Sequence, residues 1–109
     1  MIVLLNSMNI DRFYLINLFD YYQGLLTEKQ RQYFIMYYFE DRSLSEISEL
    51  YNVSRMAIQS SIKSIVSDLQ KYESILELYK LSELRTKHYE EISDSTLKEK
   101  LLKLEKGEY

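Results

Sequence analysis

The chain contains no cysteine, no proline and no tryptophan, two glycines (Gly24 and Gly107) and one histidine, His88. Without cysteine there is no disulfide framework, no thiolate metal site and no thiol nucleophile, a composition that suits a reducing cytosol. Without proline, and with so little glycine, few residues interrupt a helix, while leucine, glutamate and lysine favour one. An all-α protein is expected. Long apolar runs are also missing: the opening MIVLL has no basic flank, is too short for a signal-peptide core and far too short for a membrane span. A cytoplasmic chain without membrane insertion is expected, with Met8 an alternative start to Met1.

Excess positive charge is lacking as well. Fourteen basic residues stand against seventeen acidic ones, a formal net charge of −3, so any nucleic-acid contact must be local. Catalytic constellations are missing too. His88 sits in the polar segment HYEEISDSTLKEK with no ordered carboxylates to make it a ligand or a base. Glu40-Asp41 and Glu90-Glu91 are adjacent pairs, whose side chains diverge on a helix. There is no phosphate-cradling glycine loop and no Ser-His-Asp set, so a non-enzymatic protein without metal or cofactor is expected.

What the chain does have is helical periodicity over a length sufficient for one modest core. Ile10, Phe13, Tyr14, Leu18, Tyr21 and Tyr22 recur at helical spacing and predict a first helix, stopped in the left-handed region near Gly24. Thr27-Glu28-Lys29-Gln30 is a capping box that opens a second helix to about Phe39, burying Phe34, Tyr37 and Tyr38. Ser43-Leu44-Ser45-Glu46 is another, opening a third helix to Tyr51 with Leu44, Ile47 and Leu50 or Tyr51 facing inward.

A fourth helix starts after Ser54 and meets no stop before Leu81 to Arg85. Along it Ile58, Ile62, Ile65, Leu69, Tyr72, Leu76 and Tyr79 form a heptad-like seam. That seam either packs on the N-terminal helix of its own chain or pairs with a second copy in a homodimer. Leu97, Leu101 and Leu104 mark a last short helix from Ser95. The plan is one domain over residues 1–87 and a polar, partly helical tail over 88–109.

Residues 43–63, SLSEISELYNVSRMAIQSSIK, have the form of a helix-turn-helix. Ser48 is small where two helices would cross, Asn52 tolerates the positive φ of the turn, Val53 and Ile58 close the core, and Ser54 caps the next helix. Arg55, Met56, Gln59, Ser60 and Lys63 are then left on one outer face. Arg55 can pair with guanine or phosphate, Gln59 with adenine, and Lys63 and Ser54 with phosphate. Over residues 43–71, however, Arg55, Lys63 and Lys71 are balanced by Glu46, Glu49 and Asp68. DNA binding and a protein-interaction role both stand open on that balance. Eleven tyrosines also raise the question of stacking with single-stranded RNA, but most lie on the helical stripes and predict packing.

The stretches LFDYYQGLLTEKQRQYF (18–34), YYFEDRSLSEIS (37–48) and VSRMAIQSSIK (53–63) together resemble the YlxM family of small bacterial helix-turn-helix proteins, which is similar to region 4 of sigma factors. The resemblance implies a sigma-region-4-like or winged-helix-like three-helix core, extended by a long C-terminal helix and a short terminal one. It further implies a DNA-binding regulatory protein in the signal recognition particle pathway. A protein-interaction module, or one associated with the particle's RNA, is the alternative. The chain departs from the family pattern at Met56, at Ser60-Ser61 and in its tail.

Overall fold

The computed structural model describes residues 10–109, and the opening apolar segment and the question of Met1 or Met8 lie outside them. Six α-helices follow one another, with no strand among the described residues. They are α1 (Arg12–Tyr22), α2 (Glu28–Phe34), α3 (Leu44–Tyr51), α4 (Arg55–Leu76), α5 (Leu78–Tyr89) and α6 (Ser95–Glu105). Two compact units result, divided between Ile75 and Leu76.

Both capping boxes form. The Thr27 hydroxyl accepts from the Gln30 amide at 3.2 Å while the Gln30 side chain accepts from the Thr27 amide at 2.8 Å. Ser43 and Glu46 exchange the same pair of bonds, each at 3.0 Å. The Ser43 amide, and then its hydroxyl, hold the Glu46 carboxyl below its ordinary range. These bonds satisfy amides that a helix start leaves without partners, which fixes where α2 and α3 begin.

The core of the first unit is aromatic on one side and aliphatic on the other. Phe19 of α1 stacks on Phe34 at 4.3 Å between ring centroids, and Tyr38 lies against the Phe34 ring at 4.5 Å. Ile47, Ile58, Ile62, Ile65 and Leu69 are wholly buried. α2 continues into a wider turn over Ile35–Phe39, where the Glu40 amide donates to the Ile35 carbonyl five residues back at 3.0 Å. Beyond it Asp41 takes a left-handed backbone, and Arg12 ties that corner down through the Asp41 carboxylate at 2.8 Å and the Tyr38 carbonyl.

Several sequence-based expectations are corrected. On α1 the buried set is Leu15, Leu18, Phe19 and Tyr22, whereas Phe13 and Tyr21 are exposed. Apolar residues nearly encircle this helix, so spacing alone does not select a stripe. Gly24 is not left-handed; the helix end tightens into a single turn over Gln23–Leu25, closed by the Leu26 amide on the Gln23 carbonyl at 3.1 Å. On α2 and the wider turn after it, Tyr33 and Met36 are buried with Phe34, while Tyr37 and Tyr38 are half-buried. On α3, Tyr51 rather than Leu50 turns inward, its ring edge-on to Tyr33 at 4.9 Å.

The fourth helix stops much earlier than its seam suggests. Glu77 adopts φ 52° and ψ 32°, breaking the helix after Leu76, and the compact units part there rather than at residue 88. A left-handed glutamate costs about 1–2 kcal/mol, so nothing in local propensity announces it. Ile58, Ile62, Ile65 and Leu69 are fully buried within the chain, Tyr72 and Tyr79 are half-buried, and Leu76 is exposed. The intrachain reading therefore holds for the first four, and a dimer seam along them is excluded because a second copy cannot reach them. At the seam's far end the Tyr22 hydroxyl donates to the buried Glu73 carboxylate at 2.6 Å.

The second unit is a hairpin of α5 and α6, and α6 supplies the helical part of the stretch over 88–109. Its hub is the Glu105 carboxylate, which accepts from Ser82 at 2.7 Å, Arg85 at 2.5 Å and Tyr89 at 3.1 Å. The Arg85 guanidinium, with Ser82 and Tyr89, holds the Glu105 carboxyl down at about 2, against burial that acts to raise it. Because the folded value is depressed, this tie is complete above the ordinary carboxyl range and is lost as pH falls toward about 2. Gly107, at φ 74°, ends α6 with its amide on the Leu104 carbonyl at 3.1 Å.

Candidate nucleic-acid interface

The turn between α3 and α4 is built as its residues imply. Asn52 is left-handed at φ 53° and ψ 47°. Its amide donates to the Glu49 carbonyl at 3.3 Å and the Val53 amide to the Ser48 carbonyl at 3.0 Å, a Schellman closure that satisfies the end of α3. Ser54 then caps α4, its hydroxyl accepting from the Ala57 amide at 3.0 Å. Ser48 is buried and its hydroxyl donates to the Ser45 carbonyl at 2.7 Å, so the helices can approach there without an unpaired polar atom. Val53 does not plug the core; it stands exposed, and Ile47 and Ile58 close the space instead.

Of the outer-face residues read from the sequence, Ser54, Arg55, Met56, Ser60 and Lys63 are exposed. Gln59 is not, at 7 % exposure. The stripe Arg55–Gln59–Lys63 advances by four residues at a step and so runs along the border of the buried face, beside Ile62 and Val66. Arg55, at the free end of the helix, and Lys63, with its long stem, reach solvent. Gln59 lies between them and is drawn under, so it is not placed to read adenine.

Burial also redistributes the charge. The charged residues of α4 from Arg55 to Ser74 that stand fully exposed are Arg55, Lys63 and Lys71; Asp68 is half-buried at the edge of the same face, four residues after Ser64 and three before Lys71, and Glu73 is buried. The neutralising Glu46 and Glu49 belong to α3. A segment that is neutral in sequence thus presents a helix face on which three exposed cations stand against one half-buried acid, interleaved with Ser60, Ser64 and Ser67.

Beside this face lies a polar groove of about 360 Å³, lined by Thr27, Lys29, Gln30 and Tyr33 from the start of α2 and by Ser60, Ser61 and Ser64 of α4. The Lys29 ammonium stands 5.7 Å from the centre of the Tyr33 ring, a cation–π contact that steadies a long side chain at the groove. Lys29 was not legible as a candidate, because only the packing of α2 beside α4 brings it beside Ser60 and Ser64. Among the described residues no group of histidine, aspartate and glutamate is placed to hold a metal ion, and no helix is long and apolar enough to cross a membrane.

Comparison with known proteins agrees with this geometry. A family model described as "Putative helix-turn-helix protein, YlxM / p13 like" matches residues 10–107. The UPF0122 protein of Ureaplasma urealyticum serovar 10 is 48% identical over 90 residues, 83% of this chain and 91% of that protein. The UPF0122 protein of Oceanobacillus iheyensis is 53% identical over 75 residues, 69% and 71% of the two chains. That of Pediococcus pentosaceus is 41% identical over 101 residues, 84% and 89% of the two. Since the family match runs through all six helices, from before Arg12 to beyond Glu105, this chain belongs to the YlxM / p13-like family of helix-turn-helix proteins.

Proposed function

We propose that the chain is a cytoplasmic, non-enzymatic regulator that binds duplex DNA with α4 in the major groove. The observation that carries this reading is the excess of exposed cations on the outward face of α4, where Arg55, Lys63 and Lys71 stand exposed against the half-buried Asp68 on a helix that follows the Asn52 turn. An α-helix with its side chains is about 10–12 Å across, the width of a B-DNA major groove. Arg55 and Ser60, near the helix start, reach base edges or the nearest phosphates, while Lys63 and Lys29 neutralise flanking phosphates. A homodimer would double these contacts without altering either chain. A place in the signal recognition particle pathway belongs to this reading on the family resemblance alone.

A second reading is favoured by Met56, which is 77% exposed at the head of the same face. A thioether offers apolar contact and adapts to irregular surfaces, so this face also suits a protein partner, or the particle's RNA, in place of DNA. Chemical-shift mapping with a short random-sequence duplex separates the readings. DNA binding is expected to move the amides of residues 54–71 and of Lys29 and to leave α5 and α6 unmoved. Shifts confined to α5 and α6, or none at all, would contradict it.

A further inference from the structure

We propose that Met56 gives the interface its base preference, by packing its thioether against the 5-methyl group of thymine in the major groove. The inference rests on the DNA reading above and adds to it the chemistry of the base that is read. Met56 is 77% exposed, more than any other large apolar side chain among the described residues of the first unit. Met56, Ser60, Lys63 and Ser67 follow at steps of four, three and four residues and all stand exposed, so they form one stripe on the side of α4 away from the buried Ile58, Ile62, Ile65 and Leu69. Arg55, one residue earlier, begins the border row that runs on to the buried Gln59. Met56 thus heads the outermost stripe, at the end of the helix from which a helix-turn-helix makes its base contacts.

The rest of the stripe discriminates little between bases. Serine hydroxyls both donate and accept, so Ser60 and Ser67 pair with any base edge, and the Lys63 ammonium is a point charge suited to a flanking phosphate. Short serines let the helix come close to the base edges, where the longer Met56 meets a surface made largely of donors and acceptors. Covering those groups with a thioether leaves them without hydrogen bonds, which is costly. The one apolar group that base pairs display in the major groove is the thymine methyl. An A·T pair therefore gives Met56 a partner where other pairs give a penalty, and an unbranched thioether adapts its shape to reach that methyl.

Uracil substitution isolates the methyl group. Selection of bound duplexes from a random-sequence pool by the unaltered full chain is expected to enrich thymine in the recovered sequence. Replacing each enriched thymine in turn by uracil removes a methyl and leaves every base pair and phosphate in place. At one of these positions the change is expected to weaken binding about fourfold, the worth of one buried methyl-sized group. Met56→Ala is expected to bind the thymine and uracil forms alike, with its helical circular dichroism unchanged because the side chain it removes is exposed. Equal affinity of the unaltered chain for the two forms, an undiminished preference in Met56→Ala, or enrichment of sequences without thymine would each overturn the inference while leaving DNA binding intact. Failure to bind any duplex would instead remove the DNA reading itself, and this inference with it.

Discussion

Replacing Arg55 and Lys63 together by glutamate is expected to lower affinity for a random-sequence duplex at least about a hundredfold. Each charge-assisted hydrogen bond to a phosphate or base contributes about 1.5–3 kcal/mol, and two of them, at about 1.4 kcal/mol per tenfold, exceed a factor of one hundred. Reversal adds repulsion at the two positions where the helix comes nearest the backbone. Both side chains are exposed and neither makes a salt bridge among the described residues, so folding is not expected to suffer. Thermal unfolding of the double variant should match that of the parent, while fluorescence anisotropy with labelled duplex shows the loss. An affinity within about threefold of the parent, less than 1 kcal/mol, would mean that this face does not hold DNA.

Phe34→Ala is expected to destabilise the first unit by about 3–5 kcal/mol, a large share of the stability of any domain this small. Phe34 is wholly buried, stacked on Phe19, in contact with Tyr38 and within 6.2 Å of the Phe39 ring centre, so truncation removes several aromatic contacts at once and leaves a cavity. The consequence for function is indirect but severe. Lys29 and α2 are held beside α4 by this core, and a loosened core would scatter the cations of the interface. Urea unfolding followed by circular dichroism measures the loss, and a change under 1 kcal/mol would show that Phe34 packs far less tightly than the ring geometry requires.

The helix starts were legible because they are local. A capping box is complete within four residues, and Thr27–Gln30, Ser43–Glu46 and the Asn52 turn each formed as their residues imply. The breaks were less so. Glu77 turns left-handed with no glycine to announce it, and a seam spaced for one long helix runs straight across it. The exposed outer face of α4 was legible at Arg55, Met56, Ser60 and Lys63 but not at Gln59, because a residue on the border between buried and exposed flanks is decided by the neighbouring helix rather than by its own period. The charge of the face was not legible at all. A segment sum counts Glu46, Glu49 and Asp68 against three cations, whereas the fold places Glu46 and Glu49 on α3 and leaves Asp68 half-buried.

That separation of charge is the central claim, and the salt dependence of DNA binding by the unaltered chain tests it most directly. With Arg55, Lys63 and Lys29 each neutralising one phosphate, the logarithm of the binding constant should fall against the logarithm of salt concentration with a slope of about −2.7 per bound chain. A dimer engaging both faces would about double that slope. No binding at low salt, or binding indifferent to salt, would contradict the claim and leave the helix-turn-helix as a surface for another protein.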